Sequence, residues 1–340
     1  MSTVGNDHYH SLRVADVIKE TADSRSFVLD IPPELEDTFL YTAGQFCTFR
    51  ATIDGEEVVR CYSMSSSPDV GDPFMTTVKR VPEGIMSNWM VDNLAAGDSI
   101  DVMRPAGLFV LHESEAPVVA FAGGSGITPV ISIIKTALVD TMRDIVLVYA
   151  NRSADAVIFA DELDRLTRMA DGRLTVYSHL DSESGFLDPA ACVAHIGDRS
   201  GADFYVCGPG PYMDTVEAAL ETVGISPGQL FIERFVIPGE VPALTESSAT
   251  ESVQFRLNRQ KKTIDYALGD TLLETARRAG LRPPFSCEGG SCATCMAHLD
   301  TGQATMRVNN ALTAEEVEEG WVLTCQAIPM SREVVVNYDA

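Results

Sequence analysis

Four cysteines offer the most specific chemistry in this 340-residue chain. Three of them stand in the run Pro284-Phe285-Ser286-Cys287-Glu288-Gly289-Gly290-Ser291-Cys292-Ala293-Thr294-Cys295, and Cys325 answers them thirty residues later. This is Cys-x4-Cys-x2-Cys with a distant fourth Cys, a spacing that holds a [2Fe–2S] cluster. Four thiolates around two irons concentrate negative charge, so the loop must supply donors. Gly, Ser, Ala and Thr let backbone N–H groups turn inward, because small side chains do not block the approach. A zinc site would want paired CxxC groups, and His298 is the only imidazole nearby. Cys287, Cys292 and Cys295 are crowded beyond what two disulfide bridges need. Cys287, Cys292, Cys295 and Cys325 are therefore the expected metal ligands, and the chain upstream is expected to deliver electrons to them.

Length and composition bound what that upstream part is. The length suggests two or three domains. An apolar content of 45% with 22% charged residues suits folded globular units rather than a disordered chain. Met1 to Glu20 lacks a basic start followed by an apolar run, so no signal peptide is expected. The most apolar stretch, Val118 to Ile134, is broken by Gly123, Gly124, Ser125, Gly126 and Pro129, so no membrane span is expected either. Cys47, Cys61, Cys192 and Cys207 are scattered, which suits a reducing cytoplasm. A net charge of −24 argues against nucleic acid as a partner.

From Ser11 to about Leu111 the chain shows short alternating runs, among them Ser26-Phe27-Val28-Leu29 and Met75-Thr76-Thr77-Val78-Lys79. Gly and Pro punctuate them, as in a small antiparallel barrel. Within this part lies Arg60-Cys61-Tyr62-Ser63, which places a cation and an aromatic on one strand face with a hydroxyl beside them. On strand geometry alone, such a group is more readily a chance pattern than a cradle for a charged planar ligand. Gly84-Ile85-Met86-Ser87 then reads as a glycine turn opening a short helix, either an ordinary cap or a second phosphate site.

The next part reads as a parallel α/β unit. Ala116 to Ala122 lacks polar alternation, as a strand buried on both faces would. It runs into Gly123-Gly124-Ser125-Gly126-Ile127-Thr128-Pro129 and an apolar helix to Val139, with Thr128 expected at the N-cap and Pro129 at the first helical position. Strand, glycine turn and helix together set free N–H groups against a pyrophosphate. Further strands are expected at 145–149, 174–177 and 203–207, with helices at 156–170 and 212–223 between them. The last strand ends in Cys207-Gly208-Pro209-Gly210-Pro211, a turn without bulk that leaves room for a flat ligand. Pro238 to Thr250 is a Pro-, Gly- and Ser-rich connector. Beyond it, strands at 253–257 and 263–266 and a helix from Thr271 to Ala279, stopped by Gly280, begin the cluster unit.

Taken in this order, the three motifs resemble the ferredoxin–NADP⁺ reductase superfamily fused to a C-terminal plant-type ferredoxin, and bacterial oxygenase reductase components above all. The resemblance covers nearly the whole chain. It implies a multidomain fold: an antiparallel β-barrel flavin domain at 8–112, an α/β parallel-sheet nucleotide domain at 115–238, a linker at 239–250 and an α+β (β-grasp) ferredoxin domain at 251–340. It implies that Arg60 pairs with flavin phosphate, that Tyr62 packs along the flavin and that Ser63 faces its reactive nitrogen. Gly84, Met86 and Ser87 would hold the pyrophosphate of FAD, favoured over FMN, with Lys79 on the adenosine side. Gly124, Gly126 and Thr128 would hold the pyrophosphate of NADH, Cys207 and Gly208 its nicotinamide, and Phe235 would cover the second flavin face or simply fill the core. Asp181, after the third strand of the nucleotide unit, suits a ribose hydroxyl and hence NADH, while Arg152 after the second strand points towards NADPH.

The expected traffic is a hydride from NADH to FAD, then single electrons to the cluster and on to a terminal oxygenase. That oxygenase would be Rieske-type, acting on a steroid or aromatic compound, or else a diiron-type monooxygenase or epoxidase. A stand-alone diaphorase would not need the ferredoxin domain. A cluster-based redox sensor would not need flavin and nicotinamide motifs for turnover.

Overall fold

The computed structural model describes residues 9–235, 250–285, 288–290 and 293–340, and in it three main sheets follow one another along the chain. The connector expected at 239–250 lies, save Thr250, outside the described residues.

The first sheet is antiparallel. Its strands are β1 (Tyr9–Lys19), β2 (Ser24–Asp30), β3 (Phe46–Ile53), β4 (Glu56–Ser63), β5 (Met75–Lys79) and β6 (Ser99–Met103), in the order β4-β3-β6-β1-β2-β5. A bridge between Met64 and Thr76 brings its two edges together, which curls the sheet into a barrel. Period-two alternation does the sorting: Leu12 and Val14, Phe27 and Leu29, Ile100 and Val102 all point inward. Helix α1 (Ile85–Asn93) adds Met86 and Met90, one turn apart, to that core.

The second sheet is parallel, with β7 (Val118–Gly123), β8 (Ile145–Asn151), β9 (Leu174–Leu180), β10 (Asp203–Gly208) and β11 (Leu230–Arg234) in the order β11-β10-β7-β8-β9. Around it lie α2 (Ile127–Asp140), α3 (Ala160–Met169), α4 (Asp181–Ser184), α5 (Pro189–Ile196) and α6 (Gly210–Thr222). Strand β7 shows why its sequence lacks polar alternation: Val118, Ala120 and Ala122 enter one core, and Val119 and Phe121 enter the opposite one. Two local expectations change. Helix α2 starts at Ile127 with Gly126 as its N-cap, because a 3₁₀ turn over Gly124–Gly126 winds straight into it. Thr128 is consequently inside the helix, its hydroxyl donating to the Ser125 carbonyl at 3.0 Å. Helix α5 and strand β11 have no counterpart among the expected elements.

The third sheet, in the order β13-β12-β18-β14-β16, is built from β12 (Ser252–Leu257), β13 (Gln260–Asp265), β14 (Met296–Thr301), β16 (Trp321–Leu323) and β18 (Glu333–Asn337). A small ribbon of β15 (Ala304–Met306) and β17 (Ala327–Pro329) lies apart from it. Helix α7 (Leu272–Arg278) is fixed by a capping box between Thr271 and Glu274, and α8 (Ala314–Glu318) by one between Thr313 and Glu316. Strand β13 begins before the expected Thr263 because Asn258 and Arg259, both left-handed, make a tight turn. The Asp339 carboxylate accepts from both of their N–H groups, at 2.7 and 2.8 Å.

Buried polar contacts join the barrel to the parallel sheet. Ser132 on α2 donates to the Ser66 carbonyl at 2.5 Å and accepts from the Gly44 N–H at 3.1 Å. Buried Lys135 sits between Asp72 at 2.8 Å and Glu162 at 3.2 Å, so its charge is compensated on both sides. The third sheet meets the barrel through a shared apolar core, with an ion pair from Arg104 to Glu316 at 2.7 Å beside it.

Candidate active site

Ser63 closes β4, and Glu233 and Cys207 are paired residues on the parallel neighbours β11 and β10. The Ser63 hydroxyl donates to a Glu233 carboxylate oxygen at 3.2 Å, linking two sheets across 170 positions of sequence. Cys207 is fully buried next to them. Burial pushes its thiol well above the usual range, and the nearby Glu233 adds to that. Burial also raises the Glu233 carboxyl to about 8, against a smaller pull from the Ser63 hydroxyl. Sequence reasoning missed Glu233. Its signal was a lone carboxylate closing the apolar run Leu230-Phe231-Ile232, which became meaningful only through pairing with β10.

Around this point the other expected residues are distributed as follows. Tyr62 is partly buried and packs edge-on to Phe49, with ring centroids 5.7 Å apart. Arg60 is exposed, one guanidinium nitrogen donating to the Val59 carbonyl at 2.7 Å. The N-terminus of α1 has no side-chain cap, and a Cβ on its N-cap Gly84 would stand 2.5 Å from the Ser87 hydroxyl. That close approach demands glycine, and the Ser87 hydroxyl accepts from the Val81 N–H at 3.3 Å. Met86, by contrast, is a core residue. Lys79 ends β5 with its ammonium beside the nucleotide loop, 3.8 Å from where a Cβ on Gly124 would stand. Phe235 follows β11 and is 46% exposed.

In the glycine loop, Gly124 takes a left-handed φ of 51°. A Cβ on Gly126 would lie 2.2 Å from the Cys207 carbonyl oxygen, and one on Gly208 only 2.7 Å from Tyr212. The loop and the end of β10 therefore touch backbone to backbone. The start of α2 carries no side-chain cap, and its first N–H, that of Ile127, donates to the Gly124 and Ser125 carbonyls of the loop. Asp181 opens α4 at the end of β9, its carboxylate 3.9 Å from the His179 ring.

Of the four cysteines, Cys287 and Cys292 lie outside the described residues. Cys295 and Cys325 are 2% and 6% exposed and share one core with Leu273, Ala311, Leu312 and Leu323. Phe46 and Cys61 of the barrel belong to the same core, and Phe46 is the cross-strand partner of Ser63. Thr324 stitches the two cysteine segments together, donating to the Cys295 carbonyl from its hydroxyl at 2.8 Å and from its N–H at 3.2 Å. The loop is braced from outside by a bidentate Arg277–Glu288 pair at 2.9 and 2.8 Å, and the same guanidinium stacks 3.9 Å above the Phe285 ring.

Comparison with known proteins agrees with this geometry along the chain. Residues 11–111 match the oxidoreductase FAD-binding domain, 121–218 the oxidoreductase NAD-binding domain and 255–330 the 2Fe-2S iron-sulfur cluster binding domain. The chain is 37% identical to the ferredoxin reductase component of a 3-ketosteroid-9-alpha-monooxygenase from Rhodococcus rhodochrous, over 96% of each chain. It belongs to the ferredoxin-bearing oxygenase reductases. It is also 32% identical to one component of the 1,2-phenylacetyl-CoA epoxidase of Escherichia coli over 98% of each chain. Among solved structures, phthalate dioxygenase reductase superposes with a TM-score of 0.61 at 25% identity, covering 98% of each chain. The reductase is thus an oxidoreductase with FAD, nicotinamide nucleotide and [2Fe–2S] domains in that order. None of the helices among the described residues is long and apolar enough to cross a membrane.

The residues present fit these groups. An uncapped helix start at Gly84, on a helix that packs against β4, suits a flavin nucleotide. Near the cysteines, the Thr294 hydroxyl is buried with no hydrogen-bond partner among the described residues, as expected beside an acceptor such as sulfur. The raised Glu233 carboxyl makes a testable statement about the reductase. An unfolded glutamate ionises near 4.5, so folding takes up a proton between that pH and about 8, and stability falls across this window. Glu233→Gln keeps an acceptor for Ser63 and removes the titration. Its melting-temperature advantage over the wild type is expected to widen from about pH 5 to pH 8 and then hold level. Melts at the two ends check this, and a constant difference would mean that Glu233 ionises in the ordinary range.

Proposed function

We propose that this reductase takes electrons from NADH and passes them through FAD and the [2Fe–2S] cluster to a terminal oxygenase, with a steroid or aromatic compound as the final substrate. The observation that supports this reading is the core shared by Cys295, Cys325, Phe46 and Cys61, which brings two of the proposed ligand cysteines up to the strand pair of Phe46 and Ser63. Bound flavin takes the two electrons of a hydride together and gives them up singly, which is what a one-electron cluster needs.

On this reading Arg60, Tyr62, Ser63, Gly84 and Ser87 hold the flavin, and Lys79 offers its charge to the nucleotide loop. Gly124, Gly126 and Thr128 shape the pyrophosphate site, and Cys207 and Gly208 form a floor for the nicotinamide. Glu233 keeps Ser63 oriented, and Cys287, Cys292, Cys295 and Cys325 ligate the cluster. The units divide at 8–112, 115–238 and 251–340.

Asp181, at the end of β9, supports NADH as the donor. The kcat/KM for NADH is expected to exceed that for NADPH at least about tenfold. A steady-state comparison with ferricyanide as acceptor decides it, and a ratio favouring NADPH would overturn the choice of donor. The oxygenase reading is tested by reconstitution with the oxygenase component recovered from the same host. Turnover that proceeds equally well without the reductase would reject it.

A further inference from the structure

A cation stands where a 2′-phosphate would be read, and the flavin sheet holds it back. Arg152 follows β8 directly, and its carbonyl accepts from the Ser182 N–H at 2.9 Å, so it lies beside Asp181 at the adjoining strand end. These two strand ends are where such sheets meet the adenosine ribose. The Arg152 side chain is 70% exposed, yet it reaches across to the barrel, where Nη2 donates to Asp23 Oδ2 at 2.8 Å. Asp23 sits in the turn between β1 and β2. Its other oxygen is fixed by the hydroxyls of Thr21 at 2.8 Å and Ser24 at 3.3 Å, which leaves Oδ2 aimed at the arginine. Burial opposes ionisation of Asp23, but Thr21, Lys79 and Arg152 together hold its carboxyl below the usual range.

We propose that Asp23, a residue of the flavin sheet, sets the dinucleotide preference by engaging Arg152 and so withholding it from a 2′-phosphate. This rests on the NADH reading above. Asp23 is a positioning residue, acting through the arginine without touching the nucleotide. A guanidinium released from Asp23 has the reach and the fork geometry for a phosphate.

The test is a cycle of Asp23→Asn, Arg152→Ala and the double variant, with Asp23→Glu as the conservative control, each checked for its flavin spectrum. Adenosine 2′,5′-bisphosphate and ADP serve as competitive probes against NADH. Asp23→Asn is expected to tighten binding of the bisphosphate about tenfold, with ADP unchanged, and to lower the KM for NADPH alike. Asp23→Glu should stay near the wild type. The gain should vanish in the double variant. Arg152→Ala alone should change neither probe, because the arginine is already occupied. An unchanged bisphosphate constant in Asp23→Asn, or a gain that survives loss of Arg152, would overturn the proposal. So would weaker bisphosphate binding in Arg152→Ala, a readout that stands even if Asp23→Asn fails to fold. The NADH reading is judged separately, by the wild-type ratio alone, since the cycle reports a change from whatever that ratio is.

Discussion

Cys325→Ser is expected to abolish the cluster while NADH still reduces ferricyanide. A hydroxyl is a poor exchange for a thiolate on iron, so the variant should lose the visible absorption of the cluster and the EPR signal of its reduced form. The barrel and the parallel sheet have cores of their own and should keep their cofactors. The structure adds a complication: Cys325 also lies in the core shared with Phe46, and a buried hydroxyl without a partner costs about 1–3 kcal/mol there. Cys325→Ala separates the two effects, because it removes the ligand and leaves no polar atom behind. Both variants should show no cluster and no transfer to an oxygenase. Full cluster content in either would reject Cys325 as a ligand. Lost ferricyanide activity in a folded variant would reject a path that runs from nucleotide to flavin before the cluster.

Gly126→Ala is expected to lower kcat/KM for NADH about a hundredfold with the flavin spectrum intact. From sequence, the case against a side chain here is crowding of the bound pyrophosphate. The structure shows an earlier obstacle, since even a methyl group would stand 2.2 Å from the Cys207 carbonyl oxygen and 2.4 Å from its carbon. Gly126 has an ordinary helical φ of −62°, so close approach, and no special conformation, is what demands glycine. The end of β10 must shift to admit the methyl group, at about 1–3 kcal/mol of overpacking, and it carries Cys207 and Gly208 with it. Gly228, in the turn before β11, is the control, because a Cβ there meets nothing within 4 Å and alanine should leave turnover unchanged. Wild-type kinetics in Gly126→Ala would show that the loop and β10 need not touch.

What could be read in the sequence was whatever its signal kept local. The three clustered cysteines, the Arg60-x-Tyr62-Ser63 strand, the glycine turn after β7 and the helix expected from Thr271 each rest on a signal within a dozen residues, though α2 starts at Ile127 and not at the expected Pro129. Helix α5 carries a local signal too, Asp188 as N-cap before Pro189, which the strand-and-helix reading overlooks. Strand β11 is harder, because its edge position leaves its residues only partly buried and blurs the alternation that marks a strand. Glu233 and Asp23 are illegible for a different reason. The first meets Ser63 and the second meets Arg152 only after two sheets have packed, 170 and 129 residues apart in sequence. No pattern along the chain encodes such a meeting.

The apolar core that Phe46, Ala106 and Cys61 share with Ala293, Leu312 and Leu323 also limits how this reductase can be recombined. Exchanging its cluster unit for that of a relative is usually planned as a matter of connector length. Here the graft would also have to fill the hollow around Phe46, whose ring lies against the Gly107 backbone, and supply a carboxylate opposite Arg104. A hybrid that matched the connector alone would carry a cavity between the barrel and the grafted unit.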